Sequence, residues 1–289
     1  MKRYGMVIDV DKCVGCYNCT LACRDEHAGN DHLPVSAAQP ATGGSWVKLQ
    51  VLERGSFPKV KVSHTPMLCL HCAQAPCVQA GEGAVYRRPD GIVIIDPVKA
   101  KGQRHLVDSC PYGAIYWNEE KQLPQAWPFD AHLLDQGWKK TRGSQVCPTH
   151  AMRTLQVEDE EMQRIVKEEG LEVLHPEYGT RPRVYYKSLQ RFYKVFVGGT
   201  LAGDIDGVTE CVEAARVVLE QDGKAVAEAR SDAYGDFRFG GLKENSGAYR
   251  VQVSDARFAA RSIEFELYQS TYLGTIVLDL PGVRFRNTQ

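Results

Sequence analysis

The clearest pattern of hydrophobic and polar positions lies in the last third of the chain. Tyr249, Val251 and Val253 are hydrophobic, and polar residues such as Arg250 stand between them. This alternation has a period of two, which places the hydrophobic side chains on one face of a β-strand. Several short runs of this kind follow one another, and glycine-containing turns separate them. The pattern predicts a small antiparallel β-sandwich over residues 196–289.

A different pattern occupies residues 151–195, which we expect to connect two domains. The acidic run 158–161 opens a predicted helix, because negative side chains stabilise the N-terminal end of a helix. Gly170 is expected to end this helix. The segment around Pro182 is predicted to be extended, because it combines a proline with several aromatic residues.

Residues 1–150 contain only short apolar segments. Met6–Ile8 and Ile92–Ile95 are the two strand candidates, and turn residues bound the second one. Short elements of this kind build only a small hydrophobic core. Such a domain needs additional crosslinks for stability, and bound metal clusters are one kind. The predicted fold class is α+β, with a metal-stapled domain over residues 1–150 that is followed by the connecting segment and the sandwich.

Composition and charge exclude several functions. The 289 residues include 35 Lys and Arg against 36 Asp and Glu, so no basic excess favours nucleic-acid binding. No run approaches the roughly 20 apolar residues that a membrane helix needs. The first residues lack the apolar stretch of a secretory signal. We therefore expect a cytoplasmic protein with no membrane span and no nucleic-acid partner.

Cysteine is the most informative residue type. The chain has 10 cysteines, and nine of them precede residue 148. Disulfide scaffolds are typical of small secreted chains, so we expect these thiols to be reduced. The nine cysteines fall into four motifs, which are Cys13-x2-Cys16-x2-Cys19-x3-Cys23, Cys69-x2-Cys72-x4-Cys77, Cys110-Pro111 and Cys147-Pro148.

The spacing within these motifs indicates iron–sulfur clusters. Three thiolates from one tight loop can hold three corners of a cuboidal cluster, and in two-cluster ferredoxins the fourth ligand is a remote cysteine before proline. This rule predicts a ferredoxin-like module with two 4Fe–4S clusters. We expect the loops to nest, with Cys110 closing the inner motif and Cys147 the outer one. The predicted ligands are then Cys13, Cys16, Cys19 and Cys147 for the first cluster, and Cys69, Cys72, Cys77 and Cys110 for the second. Cys23 and Cys211 are then spare.

Other assignments of these residues stay open. The run Cys13–Cys23 could hold one cluster by itself and leave Cys147 idle, and Cys-x2-Cys pairs also bind structural zinc. We expect Cys211 to be a small buried hydrophobic residue. We expect His71 to pack or hydrogen-bond near a cluster. The histidines without an expected metal-binding role are His27, His32, His132 and His150.

A basic and aromatic stretch spans residues 181–194. We expect it to form either a solvated face or a docking surface for a partner subunit. The sequence contains no nucleophile–base motif and no phosphate-binding glycine loop. Electron transfer is therefore the only chemistry that the residues themselves indicate, and no catalytic residue is predicted.

The segments around the cysteines resemble the iron–sulfur subunits of the dimethyl sulfoxide reductase family of molybdenum enzymes. Two motifs carry the resemblance, Val7-Ile8-Asp9-x2-Lys12-Cys13-x2-Cys16 and Cys110-Pro111-Tyr112-Gly113-Ala114. Segments 90–93, 115–120, 131–135, 169–173 and 179–187 are similar to the transhydroxylase group of that family. The resemblance extends from the start to about residue 195. It continues more loosely into the sandwich, which resembles transthyretin-like or carboxypeptidase-regulatory-like modules.

The resemblance implies a large partner subunit that carries the active site and a molybdenum with two pterin guanine dinucleotides. This chain would then be the electron-transfer subunit of a heteromeric enzyme for polyhydroxylated aromatics, and the heterodimers could assemble further. One alternative is a relay subunit of a related hydroxylase, dehydroxylase or respiratory reductase. Another is an adaptor whose clusters only staple the fold.

The chain departs from the wider family at three positions where that family carries cysteine. Here these positions are Trp127, Asp130 and Gly143. The resemblance would allow three or more clusters in such a subunit. We expect the cluster that Cys23 would have joined to be absent from this one.

Overall fold

The computed structural model describes residues 1–205 and 207–281 of the chain. The fold is rich in strands, and the longest helix of the described residues spans 11 residues. The chain divides into two compact units. The first comprises Met1–Val51 and Ser63–Phe192, and the second comprises Leu52–Val62 and the chain from Tyr193 onward. None of the helices in the described ranges is long and apolar enough to cross a membrane.

The elements up to Tyr193 are short. The strands are β1 (Arg3–Asp9), β2 (Lys48–Ser56), β3 (Lys59–Met67), β4 (Val85–Arg87), β5 (Val93–Ile95), β6 (Tyr116–Asn118), β7 (Leu123–Gln125), β8 (Met152–Val157) and β9 (Val184–Lys187). The helices are α1 (Asn18–His27), α2 (Pro76–Ala80), α3 (Ala131–Asp135), α4 (Arg142–Val146), α5 (Asp159–Glu169) and α6 (Gln190–Tyr193).

A three-stranded sheet organises the first unit. Its central strand is β1, which pairs antiparallel with β8 and parallel with β9, so that Met6 lies opposite Thr154 and Val184. The side chains of Met6 and Ile8 are fully buried. The predicted strand at Met6–Ile8 is therefore confirmed. The second predicted strand is β5, which forms a hairpin with β4.

The predicted helix of the connecting segment is α5. Its first turn contains three acidic residues, and Gly170 follows it with a left-handed φ of 61°. The main-chain N–H of Gly170 donates a hydrogen bond to the Val166 oxygen, which satisfies one carbonyl at the helix end. Met162 packs on Val7 of β1 in a small apolar cluster. The start and the end of this helix are thus confirmed.

Two four-stranded sheets share the core of the second unit. Their strands are β10 (Val195–Ile205), β11 (Val208–Cys211), β12 (Arg216–Gln221), β13 (Lys224–Arg230), β14 (Asp236–Leu242), β15 (Gly247–Asp255), β16 (Phe258–Leu267) and β17 (Thr271–Leu278). In one sheet β10 pairs with β11, β14 and β17, and the other sheet has the order β13-β12-β15-β16. Leu201 and Phe237 from the first sheet and Leu219 and Val251 from the second belong to one apolar cluster.

The alternation predicted for β15 is confirmed. Tyr249, Val251 and Val253 are buried, while Arg250 and Gln252 are exposed. The strand pairs with β12 on one edge and with β16 on the other. One face of β15 therefore lies on the core, which is the arrangement that a period of two requires.

The expectation that Cys211 is buried is wrong. Cys211 is exposed, because it ends the edge strand β11, whose side chains are all exposed, and the next residue, Val212, is buried instead. Within the basic stretch 181–194, Arg183 cannot be part of a solvated face, because it is buried. Its guanidinium donates hydrogen bonds to the main-chain oxygen of Tyr4 at 2.6 Å and to the carboxylate of Asp159 at 2.9 Å.

Candidate metal centres

The first cysteine site is a small cavity lined by side chains from two distant parts of the chain. Its four cysteines are Cys13, Cys16, Cys19 and Cys147. Gly15 turns the loop after Cys13 with a φ of 73°, and α1 begins at Asn18, so Cys19 lies in the first helical turn. Cys147 directly follows α4, which packs against α1. The fold thus brings the remote cysteine to the loop.

Burial and hydrogen bonds set the electrostatics of this first site. Burial raises the pKa of the Cys13 thiol, and it raises the pKa of Cys19 to about 11. The main-chain N–H of Ala151 donates a hydrogen bond to Sγ of Cys147 over 3.2 Å. A hydrogen bond of this kind stabilises a thiolate. Without a nearby cation the buried thiols stay protonated at neutral pH, and a cationic iron removes that penalty.

The second cysteine site has the same composition. The four cysteines that line this cavity are Cys69, Cys72, Cys77 and Cys110. Cys77 lies in α2, and Pro111, which follows Cys110, also lines the cavity. Burial and then the charge of Cys110 raise the pKa of Cys77 to about 12. Burial raises the pKa of Cys72 to about 11, although a hydrogen bond with the Thr180 side chain acts in the opposite direction.

The spacing of the sulfur atoms distinguishes two kinds of metal centre. Zinc with four cysteines holds the sulfurs about 3.8 Å apart, because its tetrahedral Zn–S bonds are about 2.3 Å long. Among the described residues, the only three potential ligand atoms that all lie within 4.8 Å of one another belong to histidines. The cysteine sulfurs are therefore spread more widely than a single zinc ion requires. A cuboidal cluster suits this wider spacing of the sulfur atoms, because each cysteine sulfur binds a different iron.

Cys23 lines neither of these two cavities. It lies in α1 and is buried. Burial, and then the negative charge of Asp130, raises the pKa of its thiol well above the usual range. Cys23 thus lies outside the cavity that the other three cysteines of its motif line, although Cys19 of the same helix is close enough to raise the pKa of its thiol further.

Asp130 is the polar centre of the region near Cys23. Its side chain is 1% exposed, and its carboxylate accepts hydrogen bonds from the Trp127 indole at 2.9 Å and the Arg142 main chain at 2.7 Å. Nε2 of His27 lies 3.2 Å from Oδ1 of Asp130. Despite burial, these hydrogen bonds hold the pKa of Asp130 below its ordinary value. A buried carboxylate with this many partners stays ionised.

The structure also shows the surroundings of His71 and of three further histidines. Nδ1 of His71 accepts a hydrogen bond from the Val93 main chain at 3.0 Å, and its ring packs on Trp127 and Phe129. Burial lowers the pKa of His71 to about 3, so the ring is neutral. The expectation that His71 packs and hydrogen-bonds is confirmed. Sequence reasoning missed the group of His27, His32 and His132, because no spacing along the chain announces it.

Comparison with known proteins places the chain in a family. Residues 60–157 match the family model of a 4Fe-4S dicluster domain. The chain is 45% identical over 258 residues to the pyrogallol hydroxytransferase small subunit of Pelobacter acidigallici, which covers 88% of this chain and 91% of that protein. It is 32% identical over 200 residues to a subunit of the sulfite dehydrogenase of Allochromatium vinosum, covering 64% of this chain and 83% of the relative. It is 31% identical over 192 residues to a subunit of the tetrathionate reductase of Salmonella typhimurium, and the match covers 65% of this chain and 73% of that relative.

The sites and the matched family model define the class of protein as one with a 4Fe-4S dicluster domain. The chain belongs to the iron–sulfur subunits of the dimethyl sulfoxide reductase family of molybdenum enzymes, in the group that contains the pyrogallol hydroxytransferase small subunit. The family that the sequence motifs predicted is therefore confirmed.

Proposed function

We propose that this chain is the electron-transfer subunit of a heteromeric molybdenum enzyme and holds two 4Fe–4S clusters. The observation that carries the proposal is the grouping of eight cysteines into two cavities of four. In each cavity three cysteines come from one segment of the chain. The fourth comes from a distant segment and is followed directly by a proline, which is the ligand pattern of two-cluster ferredoxins. The ligands are Cys13, Cys16, Cys19 and Cys147 for the first cluster and Cys69, Cys72, Cys77 and Cys110 for the second.

The groups around each site tune how readily it takes up an electron. When bound, a cluster of this type accepts and releases single electrons. Burial of the sulfur atoms disfavours added negative charge, and N–H donors favour it. The main-chain N–H of Ala151 is such a donor at Cys147, and the side-chain hydroxyl of Thr180 has the same effect at Cys72. The two sites therefore have separate means of adjusting their potentials.

The relatives support a large catalytic partner. The small-subunit name of the Pelobacter relative implies a second, larger chain. We propose that this partner binds molybdenum with two pterin guanine dinucleotides, carries the active site and acts on polyhydroxylated aromatics. Transhydroxylation moves a hydroxyl group between phenols without net electron export, and a relay without the cluster of Cys23 is compatible with it. Purification of the complex would also reveal whether the heterodimers repeat in a larger assembly.

A second candidate is the relay subunit of a related oxidoreductase. Relatives named as sulfite dehydrogenase and tetrathionate reductase subunits favour it, because their names imply exchange of electrons with another molecule. The cysteine sites would be the same in both cases. The partner's reaction therefore separates the two candidates, since fold and cluster type do not define a substrate.

The fold supports a two-domain description. We propose a ferredoxin-like module over residues 1–150 and a β-sandwich over 196–289. The segment 151–195, which we expected to connect them, contributes β8, α5 and β9 to the first compact unit. Two sheets with one shared core support the sandwich. The segment Leu52–Val62 groups with the second unit, so it is an excursion from the first domain.

Anaerobic copurification with the large subunit tests the proposal. We expect about eight irons and eight acid-labile sulfides per chain, molybdenum in the complex, and paramagnetic signals after reduction. Turnover of a trihydroxybenzene without an external electron acceptor supports the transhydroxylase assignment, whereas turnover only with an acceptor supports the second candidate. Clusters that cannot be reduced at any accessible potential would indicate a structural adaptor. A colourless protein that contains zinc in place of iron would contradict the cluster assignment.

A further inference from the structure

Three histidines outside the cysteine sites lie together in the first unit. His27 ends α1, His32 lies in the following loop and His132 lies in α3. One potential ligand nitrogen from each ring lies within 4.8 Å of the others. The rings of His32 and His132 stack with centroids 3.7 Å apart, and the His27 ring meets each of them nearly edge-on at 5.2 Å.

In two of these rings, one nitrogen already lies within hydrogen-bond distance of a carboxylate. Nε2 of His27 lies 3.2 Å from Oδ1 of Asp130, and Nε2 of His132 lies 2.9 Å from Oε1 of Glu26. Their Nδ1 atoms are buried and have no hydrogen-bond partner within the part of the chain that the structure describes. Nearly all buried polar atoms in proteins have a partner. We therefore expect the two Nδ1 atoms to bind a partner from outside the described residues.

The carboxylates indicate which partner suits these nitrogens. A histidine that binds a metal usually donates its other ring N–H to a carboxylate or a carbonyl oxygen, which fixes the tautomer and directs a lone pair at the metal. Asp130 and Glu26 occupy that position for His27 and His132. Nε2 of His32 lies 2.9 Å from the main-chain oxygen of Glu26, which leaves its Nδ1 for the same use.

We propose that His27, His32 and His132 bind one divalent zinc-type cation, each through one ring nitrogen. Zinc accepts three histidines with water as the fourth ligand, and its ligand nitrogens lie about 3.3 Å apart. The rings of His32 and His132 are stacked nearly parallel, so one of them must turn for both lone pairs to meet the ion. The side chain of His32 is 20% exposed, so it can make this rotation and water can reach the ion. The carboxylates of Asp130 and Glu26 balance the charge of the ion, and Arg142, 3.2 Å from Glu26, offsets part of it.

This ion would link α1 to α3 beside Asp130, the carboxylate that also raises the pKa of Cys23. It would act as a structural crosslink, because metal binding is coupled to folding. The inference rests on the histidines and their carboxylates alone. It does not depend on the proposed function, and iron and zinc contents measured on one sample test the two separately.

The test uses the full-length chain, purified anaerobically in its complex, treated with a mild chelator, mixed with zinc chloride and passed over a desalting column. We expect one zinc per chain in addition to the iron of the clusters. X-ray absorption at the zinc edge should show only nitrogen and oxygen ligands at about 2.0–2.1 Å. Zinc below one tenth of an equivalent in iron-replete protein would overturn the proposal. So would sulfur ligands at about 2.3 Å, since they would place the zinc at cysteines.

Variants localise the site. His32→Ala should abolish the bound zinc and leave iron unchanged, and the partial exposure of His32 makes a folding defect unexpected. His132→Gln should do the same, and retained iron reports that the variant has folded. His175→Ala is the matched control, because His175 is exposed and pairs with Glu177. Full zinc content in His32→Ala and His132→Gln would refute the assignment.

Discussion

The indole N–H of Trp127 donates a hydrogen bond to Oδ1 of Asp130 over 2.9 Å, and both side chains are buried. These are two of the positions at which the resemblance to the wider family implies cysteine. Asp130 also accepts a hydrogen bond from the main-chain N–H of Arg142. In this chain an aromatic side chain and a hydrogen-bonded carboxylate occupy the two positions, and Cys23 is buried near Asp130.

Removing the charge of Asp130 should destabilise the first unit. In Asp130→Asn the amide group replaces one acceptor oxygen, so a buried donor loses its partner. We expect a loss of about 2–4 kcal/mol in the free energy of unfolding. Anaerobic urea unfolding followed by circular dichroism would measure it.

Asp25→Asn is the control for this change, because Asp25 is 80% exposed and its ion pair with Arg142 is 3.5 Å long. Its effect should stay within about 0.5 kcal/mol. Equal effects of the two variants would show that the hydrogen bonds of Asp130 contribute little to stability.

Substitution of Cys147 should remove one cluster. In Cys147→Ser the iron content is expected to fall from about eight to about four per chain, because the first site loses its remote ligand. The thermal midpoint of the first unit should fall as well, since cluster binding is coupled to folding. Iron analysis and electron paramagnetic resonance of the anaerobic protein would measure both clusters.

Cys23→Ser is the matched variant from the same motif. It should keep about eight irons, because Cys23 lines neither cavity. If Cys23→Ser lost a cluster while Cys147→Ser kept both, the rival assignment with Cys13, Cys16, Cys19 and Cys23 on one cluster would be correct.

An alanine at Gly15 should disturb the first cysteine site. Gly15 has a φ of 73°, and a Cβ there would lie 2.5 Å from the ring of His64. We expect lower occupancy of the first cluster in Gly15→Ala, because the ring or the loop must move. The double variant Gly15→Ala, His64→Ala should recover part of it, since the colliding ring is gone.

Gly29→Ala controls for backbone strain alone. Gly29 has a φ of 76°, but a Cβ there would meet no atom within 4 Å. The left-handed conformation costs roughly 1 kcal/mol for alanine at both positions. Iron content should be normal in Gly29→Ala; an equal loss of iron in both glycine variants would attribute the effect to strain and not to the collision.

Truncation in the second unit should destabilise that unit without loss of iron. Leu219 is fully buried between the two sheets. Leu219→Ala is expected to cost about 2–5 kcal/mol, because it removes buried methyl groups and leaves a cavity. Thermal unfolding together with iron analysis would show both effects.

The exposed residue Val226 provides the comparison for Leu219. Its side chain is 49% exposed, so Val226→Ala should change the stability by about 0.5 kcal/mol or less. A large loss of iron in Leu219→Ala would mean that the core of the second unit is needed for the clusters, contrary to this prediction.

Local patterns in the sequence predicted local structure well. The acidic start of α5 and the glycine after it were sufficient to place that helix, because capping and dipole effects act within one or two turns. The alternation around Val251 predicted a strand with one buried face, since the strand period is a property of the backbone. The cysteine motifs together with the family resemblance indicated the chemistry.

The exposure of Cys211 could not be predicted from the sequence, because a period of two does not say which strand lies at an edge. Its exposure follows from the pairing of β11 with β10 alone. The burial of Arg183 has a similar origin, since its carboxylate and carbonyl partners come from distant segments. A sequence shows that an arginine is charged, but the fold decides whether buried acceptors surround it.

The sequence by itself thus determined the spacing of the cysteine motifs, the strand-rich C-terminal region and the family. Only the tertiary structure decided what surrounds Cys23 and which histidines meet. His27 and His132 are separated by more than a hundred positions, yet their rings lie 5.2 Å apart. The physical reason is that bonded geometry dictates spacing within a loop or a helix turn, whereas neighbours from remote segments depend on how all the elements pack together.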